Sequence, residues 1–209
     1  MNILDISWPI TPEMTAYKDT RTVVFEHTKN FKESAVRESK ITMSTHTGTH
    51  IDAPAHFIED GITIEKMGLT DLVGPAVVLE CLDGVTVISD VILAEFDEYI
   101  SSGTIILIKT GNSRCEPTAL FKPGFVYLDA SGAQFLAERE VKAVGIDYLG
   151  IERNQPDHET HKLLMNNNIP IIEGLRLGHV VPGEYFCVAL PLAVHGLEAA
   201  PARVILLQE

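Results

Sequence analysis

Residues 44–57, STHTGTHIDAPAHF, place His46, His50, Asp52 and His56 within eleven positions of a chain that has 8 histidines in all. Three imidazoles and a carboxylate at that density point to a metal centre. Their spacing also limits the local fold. His46 and His50 are four apart, as on one face of a helix, but Thr45, Thr47 and Thr49 are β-branched and Gly48 lies between the histidines, so helix is the poorer choice. In an extended chain, positions 46, 48, 50 and 52 share one face, with Gly48 leaving room on it for an ion or substrate. Pro54 stops such a strand from continuing at a central sheet position, so the chain turns and His56 comes back to the same cavity. Imidazole and carboxylate without cysteine suit Zn²⁺, Mn²⁺ or Fe²⁺ in an open catalytic site. The plainer alternative is an edge strand with solvated histidines.

The other metal-ligating residue types lie far along the chain. Residues 157–166 read as a helix capped by Asp157, and Leu164 and Met165 put His161 on its apolar side. Glu173 ends the following IPII strand. By pattern alone, His161 as a core histidine and Glu173 as a surface charge fit equally well, and His158 competes with His161.

Composition narrows the function classes. With 45% hydrophobic and 22% charged residues, the 209-residue chain reads as a globular protein of one domain. Its 16 basic and 29 acidic side chains give a formal charge of −13, which repels nucleic acid and anionic membranes while still allowing a local basic pocket for a small anionic substrate. Cys81, Cys115 and Cys187 form no C-x-x-C pair, so they are read as reduced core residues of a cytoplasmic protein. The amino terminus, MNILDISWPI, lacks the basic start of a secretory signal, and no apolar run is long enough to span a membrane.

Strands are expected at residues 3–10, 21–27 and 35–45, an antiparallel start, and then at 75–82, 104–110, 126–128, 141–147, 169–172, 185–190 and 203–207. Short helices fall between them: 90–100 behind Ser89, and one through Glu140 opened by a Ser131/Gln134 capping box. The middle of the chain therefore alternates strand and helix, a mixed and β-rich α/β pattern.

HTGTHIDAPAHF resembles the signature of the cyclase-like metal-dependent hydrolases, which include bacterial kynurenine formamidases and isatin hydrolases. The likeness extends to DIS at 5–7, IKTG at 108–111, VGIDYLGIE at 144–152, HKLLMNNNIPIIEGL at 161–175 and ALPL at 189–192. It implies a swivelling β/β/α fold and a homodimer or larger homo-oligomer. It also implies His46, His50 and Asp52 around one divalent ion, with Asp52, His161 and Glu173 available to a second. His161 is favoured over His158 by its interval to Glu173, and His56 is implied to transfer protons. Zn²⁺ leads the metals, then Mn²⁺. One departure falls near the expected substrate pocket: the family's methionine-proline pair and aromatic-proline-glycine-aspartate turn are replaced by Met14-Thr15-Ala16-Tyr17-Lys18-Asp19.

The chemistry expected is hydrolysis of a non-peptide C–N bond in a small amide by metal-activated water, with N-formylkynurenine as first substrate and a lactam such as isatin as the alternative. Trp8, Tyr17, Phe25 and Phe57 are candidate walls for an aryl substrate, although ordinary core packing is the commoner role for any one of them. Two rivals remain. One is a non-haem iron oxygenase using His50, Asp52 and a distant histidine; the other is a metal-stabilised binding protein without turnover. No G-x-S-x-G elbow or phosphate-binding glycine loop offers another chemistry.

Overall fold

Strand-forming segments dominate the chain, and the computed structural model, which describes residues 1–81 and 84–208, joins eight of them in one sheet. The strands are β1 (Asn2–Asp5), β2 (Val24–Lys29), β3 (Glu38–Thr42), β4 (His50–Asp52), β5 (Val73–Cys81) and β6 (Val87–Ile88), followed by β7 (Ile105–Thr110), β8 (Tyr127–Leu128), β9 (Ala143–Ile146), β10 (Ile171–Glu173), β11 (Gly183–Pro191) and β12 (Ala199–Gln208). The helices are α1 (Phe31–Ser34), α2 (Asp90–Ala94), α3 (Ala130–Glu138) and α4 (Glu159–Asn166).

The main sheet runs β1-β12-β11-β5-β7-β9-β10-β4, and β4 also pairs with β12. That last pairing closes seven strands into a barrel and leaves β1 as an extra strand beside β12. The centre, β5-β7-β9-β10, is parallel, as the alternation of strand and helix along the sequence implies. The fold is thus mixed, strand-rich α/β. Among the described residues, no helix is long and apolar enough to cross a membrane.

Alternation along the strands divides the apolar side chains between two cores. Ala76, Val78, Ile105 and Leu107 point into the barrel with Ile51, Ile172 and Ala200. Val77, Leu79, Ile106 and Ile108 point outward under Leu136, Leu164 and Met165 of α3 and α4. Apolar residues on both faces explain why TIILIKT reads as a continuous hydrophobic run. A third cluster, including Trp8, Met14, Phe125, Tyr148 and Leu149, lies apart from both.

Several local expectations are corrected. The expected antiparallel start divides: β1 joins the carboxy-terminal strand β12, while β2 and β3 form a separate two-stranded ribbon whose residues are all exposed. Leu82, the end of the expected strand 75–82, lies outside the described residues. The helix expected over 90–100 ends at Ala94 and gives way to a 3-10 turn, Asp97–Tyr99. Ser89 makes no side-chain cap; the Ser131 hydroxyl, 3.2 Å from the Asp90 amide, accepts its hydrogen bond instead. Ser131 is therefore not the cap of α3. That place belongs to Asp129, whose Oδ1 accepts from Gly132 N at 3.0 Å. Before α4 the cap position is His158, in a left-handed conformation, rather than Asp157.

Two glycines meet where the chain segments of the candidate site pass one another. Gly174 has φ +70°, and a Cβ there would collide with the Gly48 carbonyl oxygen. The Cβ position is fixed by the backbone and the atom it meets is backbone too, so no rotamer relieves the clash. Gly174→Ala is expected to cost at least about 2 kcal/mol, from the left-handed backbone and the displaced segment at 48 together. Equilibrium urea denaturation measures this, and an unchanged midpoint would show that the segment yields freely.

Candidate metal centre

β4 has three residues and is buried throughout. Ile51 faces the barrel core opposite Ile172, so His50 and Asp52 must face outward. The antiparallel register sets His50 opposite Glu173 and Asp52 opposite Ile171. Paired residues share a face, so Glu173 joins the histidine and aspartate under α4. His161, on the buried side of α4, completes the group.

His46 arrives differently from the expectation. Extended backbone does not run from 46 to 52: a turn covers 45–46, and Gly48 has φ +64°. The missing Gly48 side chain would meet Met14 Cε at 3.2 Å and Trp8 O at 3.5 Å, so glycine is required for the backbone bend and for packing rather than to clear space for an ion. The bend still brings His46 Nδ1 to 3.0 Å from Asp52 Oδ1. Pro54 opens a 3-10 turn, Pro54–His56, which returns His56 to 4.3 Å from the His46 ring, as expected.

All five expected ligands converge. Asp52 Oδ1 faces His46 and also His50 Nε2 at 3.5 Å, whereas Oδ2 faces His161 Nε2 at 3.6 Å. Glu173 lies 3.4 Å from both His50 Nε2 and His161 Nε2. The two oxygens of Asp52 thus address two different sets of imidazoles. His50 Nε2, Asp52 Oδ1 and His161 Nδ1 are all buried without a hydrogen-bond partner of good geometry among the described residues, and the first two face the centre, as expected of atoms whose partner is an ion. The donor set of imidazoles and carboxylates fits a divalent metal.

Electrostatics agree. Burial disfavours the charged form of His50, but Glu173 and Asp52 outweigh it and raise its pKa to about 9. His161 is likewise raised well above its ordinary value: Asp52, Glu152 and Glu173 overcome its burial. Burial pushes Asp52 upward, yet His161 and His46 hold it well below its ordinary value. Two buried carboxylates side by side demand positive charge, from protons on the imidazoles or from a cation.

Supporting groups aim the ligands. The Gly48 carbonyl lies 2.9 Å from His50 Nδ1; with the proton there, the Nε2 lone pair is left for the centre. Glu152 Oε2 accepts from His161 N at 3.1 Å, while Oε1 lies 3.1 Å from His161 Nδ1 and 2.6 Å from His158 Nδ1. Glu152 was not singled out from the sequence, although an acidic residue inside the buried stretch 143–152 is the signal that could have found it. Glu198, 3.4 Å from His46 Nε2, carried no comparable signal. His158 faces Glu152 rather than Asp52 or Glu173, whereas His161 Nε2 faces both of those carboxylates.

The cluster lies at the floor of a cavity of about 740 Å³, large enough for a small organic substrate. His56, Phe57 and Tyr17 line it. Burial, only partly offset by Asp52, lowers the pKa of His56. Trp8 and Phe25 do not line it. Trp8 is buried in the third core with its indole N–H donating to Pro117 O at 3.0 Å, and Phe25 is exposed on the ribbon.

Known proteins share this arrangement of chain. The family described as "Cyclase: Putative cyclase" matches residues 4–153. The kynurenine formamidase of Salinibacter ruber is 31% identical over 209 residues, covering 99% of this chain and 97% of that protein. Among solved structures, a "predicted metal-dependent hydrolase from Bacillus stearothermophilus" is 42% identical with a TM-score of 0.87, covering 98% of this chain and 97% of that one. Isatin hydrolase A from Labrenzia aggregata shares the fold at 22% identity, with a TM-score of 0.84 over 100% of this chain and 94% of its own.

Asp52→Ala and Glu173→Ala are expected to lose most bound metal after dialysis, read by elemental analysis. Glu152→Gln should retain a site roughly 10–100-fold weaker. Wild-type metal content in Asp52→Ala would dismiss this centre.

Proposed function

Because the chain belongs to the cyclase family, we propose that it is a metal-dependent amidohydrolase of the arylformamidase type, with N-formylkynurenine as its substrate. The observation that carries this reading is the meeting of His46, His50, Asp52, His161 and Glu173 at the floor of a cavity that also holds His56. His46, His50 and Asp52 would hold one ion, and Asp52, His161 and Glu173 a second. Zn²⁺ suits this donor set best, then Mn²⁺. A divalent ion there supplies Lewis acidity and a water nucleophile competent at neutral pH.

The chain's own residues account for the rest. His56 stands beside the ligands without belonging to the buried carboxylate pair, so its imidazole is placed to take the proton from water and deliver it to the leaving nitrogen. Phe57 packs against the rings of His158 and His161 at 4.5 Å, covering one wall and excluding water from it. Tyr17 offers an aromatic face on the opening side. An oxygenase triad would need only two histidines and one carboxylate, leaving the other ligands without work. A closed structural site would not open into a cavity of about 740 Å³. With Cys81, Cys115 and Cys187 free, the reading is of a cytoplasmic enzyme, working as a homodimer or tetramer as its family resemblance implies.

The test is hydrolysis of N-formylkynurenine under nitrogen by chelated protein restored in turn with Zn²⁺, Mn²⁺ and Fe²⁺. Metal-dependent loss of the formyl group is expected, and none with any ion would move the substrate to other amides and lactams, isatin first. His56→Ala should keep its metal while kcat falls roughly 10²–10⁴-fold. Metal loss in a folded His56→Ala protein would make His56 a principal ligand instead.

A further inference from the structure

The three imidazoles of the centre do not present the same nitrogen to it. His50 and His161 turn Nε2 toward the carboxylates of Asp52 and Glu173. Each has Nδ1 against an acceptor behind it, the Gly48 carbonyl at 2.9 Å and Glu152 Oε1 at 3.1 Å. His46 is reversed: its Nδ1 lies 3.0 Å from Asp52 Oδ1, while its Nε2 meets Glu198 Oε1 at 3.4 Å. An imidazole can turn over about its Cβ–Cγ bond, so a neighbour must decide which nitrogen it offers. Packing does less of this for His46, whose side chain is 27% exposed against 2% for His50 and 8% for His161.

Glu198 is itself held in place. β12 begins at Ala199 opposite Asp52, which sets Glu198 one residue before the strand, and its carbonyl accepts from the Ala53 amide at 2.8 Å. Its Oε1 also accepts from the Thr45 hydroxyl at 2.7 Å. One residue is thus bonded to the chain on both sides of the ligand run, at 45 and at 53. Glu198 is not among the residues that line the cavity, so any effect it has on the centre passes through His46.

We propose that Glu198 is a positioning residue of the metal centre: its carboxylate accepts the Nε2 proton of His46 and so fixes the tautomer that leaves the Nδ1 lone pair for an ion. The inference rests on the metal-centre reading and adds a residue to it. Glu198 then does for His46 what Glu152 does for His161 and the Gly48 carbonyl does for His50. A carboxylate behind a ligand imidazole both orients the ring and makes it a more basic ligand, whereas a neutral amide in its place only orients it. The charge of Glu198 therefore contributes to metal affinity without touching the ion.

The test reads bound metal rather than turnover. Zn²⁺ affinity is measured by competition with a chromophoric chelator for wild type, Glu198→Gln, His46→Ala and the double variant, beside thermal melting of each metal-free protein. Glu198→Gln keeps the size of the side chain and an oxygen for Thr45. It is expected to weaken Zn²⁺ binding roughly 10–100-fold while the metal-free melting temperature stays at the wild-type value. In the His46→Ala background the same substitution should change nothing, because the partner through which it acts is gone. A residue that only tied β12 to the ligand run would do the reverse, lowering the melting temperature in both backgrounds. Wild-type affinity in Glu198→Gln would overturn the proposal, as would an equal loss with and without His46. Should that variant fold poorly, Glu198→Asp, which withdraws the carboxylate by one methylene, is judged by the same two criteria. Zn²⁺ uptake without hydrolysis of any amide would remove the amidohydrolase reading and leave the affinities to decide this one. Wild-type protein that takes up no Zn²⁺ would overturn the proposal together with the centre.

Discussion

Everything in this molecule depends on a strand of three residues. β4 is hydrogen-bonded to β10 on one side and to β12 on the other, and through it the sheet closes. Ile51 anchors it in the barrel core, where burial of such a side chain contributes roughly 1.5–3 kcal/mol. Because side chains alternate along a strand, the burial of Ile51 inward obliges His50 and Asp52 to face outward. The apolar core and the metal centre are opposite sides of one short peptide. A change that rotated or slipped β4 would expose an isoleucine and bury two ligands in hydrocarbon at once.

That obligation explains how buried charge is tolerated at the centre. Asp52 and Glu173 are each at most 5% exposed, a placement that is costly for a lone carboxylate. Here the backbone is fixed from three directions: β12 and β10 hold β4, and the Gly174 amide donates to Tyr148 O at 2.6 Å. The carboxylates are therefore held beneath the cavity rather than free to swing out toward water. The strain is instead met by imidazoles whose far sides are held by the Gly48 carbonyl and Glu152. Farther out, Asp147 ties β9 to the end of β7 by accepting from the amide of Thr110 at 2.8 Å and that of Ser113 at 3.0 Å.

Much of this was legible in the sequence, and the reasons for the exceptions are physical. The ligand run, the turn at Pro54, the buried strands and the strand–helix alternation all follow from residue type and period. The inward placement of His161 follows from its neighbours at three and four residues. Helix caps were misread because a cap needs only one oxygen near one amide, and tertiary structure supplied it from elsewhere: Ser131 serves the helix beginning at Asp90, and Asp129 serves the helix that contains Ser131. The continuous strand through Gly48 failed because a left-handed glycine leaves no periodic trace. Trp8, a candidate pocket wall for which core packing is the commoner role, lies in a core; an indole satisfied by a distant carbonyl such as that of Pro117 is indistinguishable in sequence from one that waits for a ligand. Glu152 went unnoticed because its partners, His158 and His161, are ordered around it only once the helix forms.

The two-stranded ribbon has a consequence of another kind. Its residues are exposed along both strands, while the segments at its roots, Thr22 and Val23 before it and Ser44 after it, line the cavity. The same excursion of chain is therefore almost free of packing constraint at its far end and tightly bound at its base. Substitutions along the outer ribbon are therefore felt little by the barrel, whereas those at its roots reach the wall of the cavity.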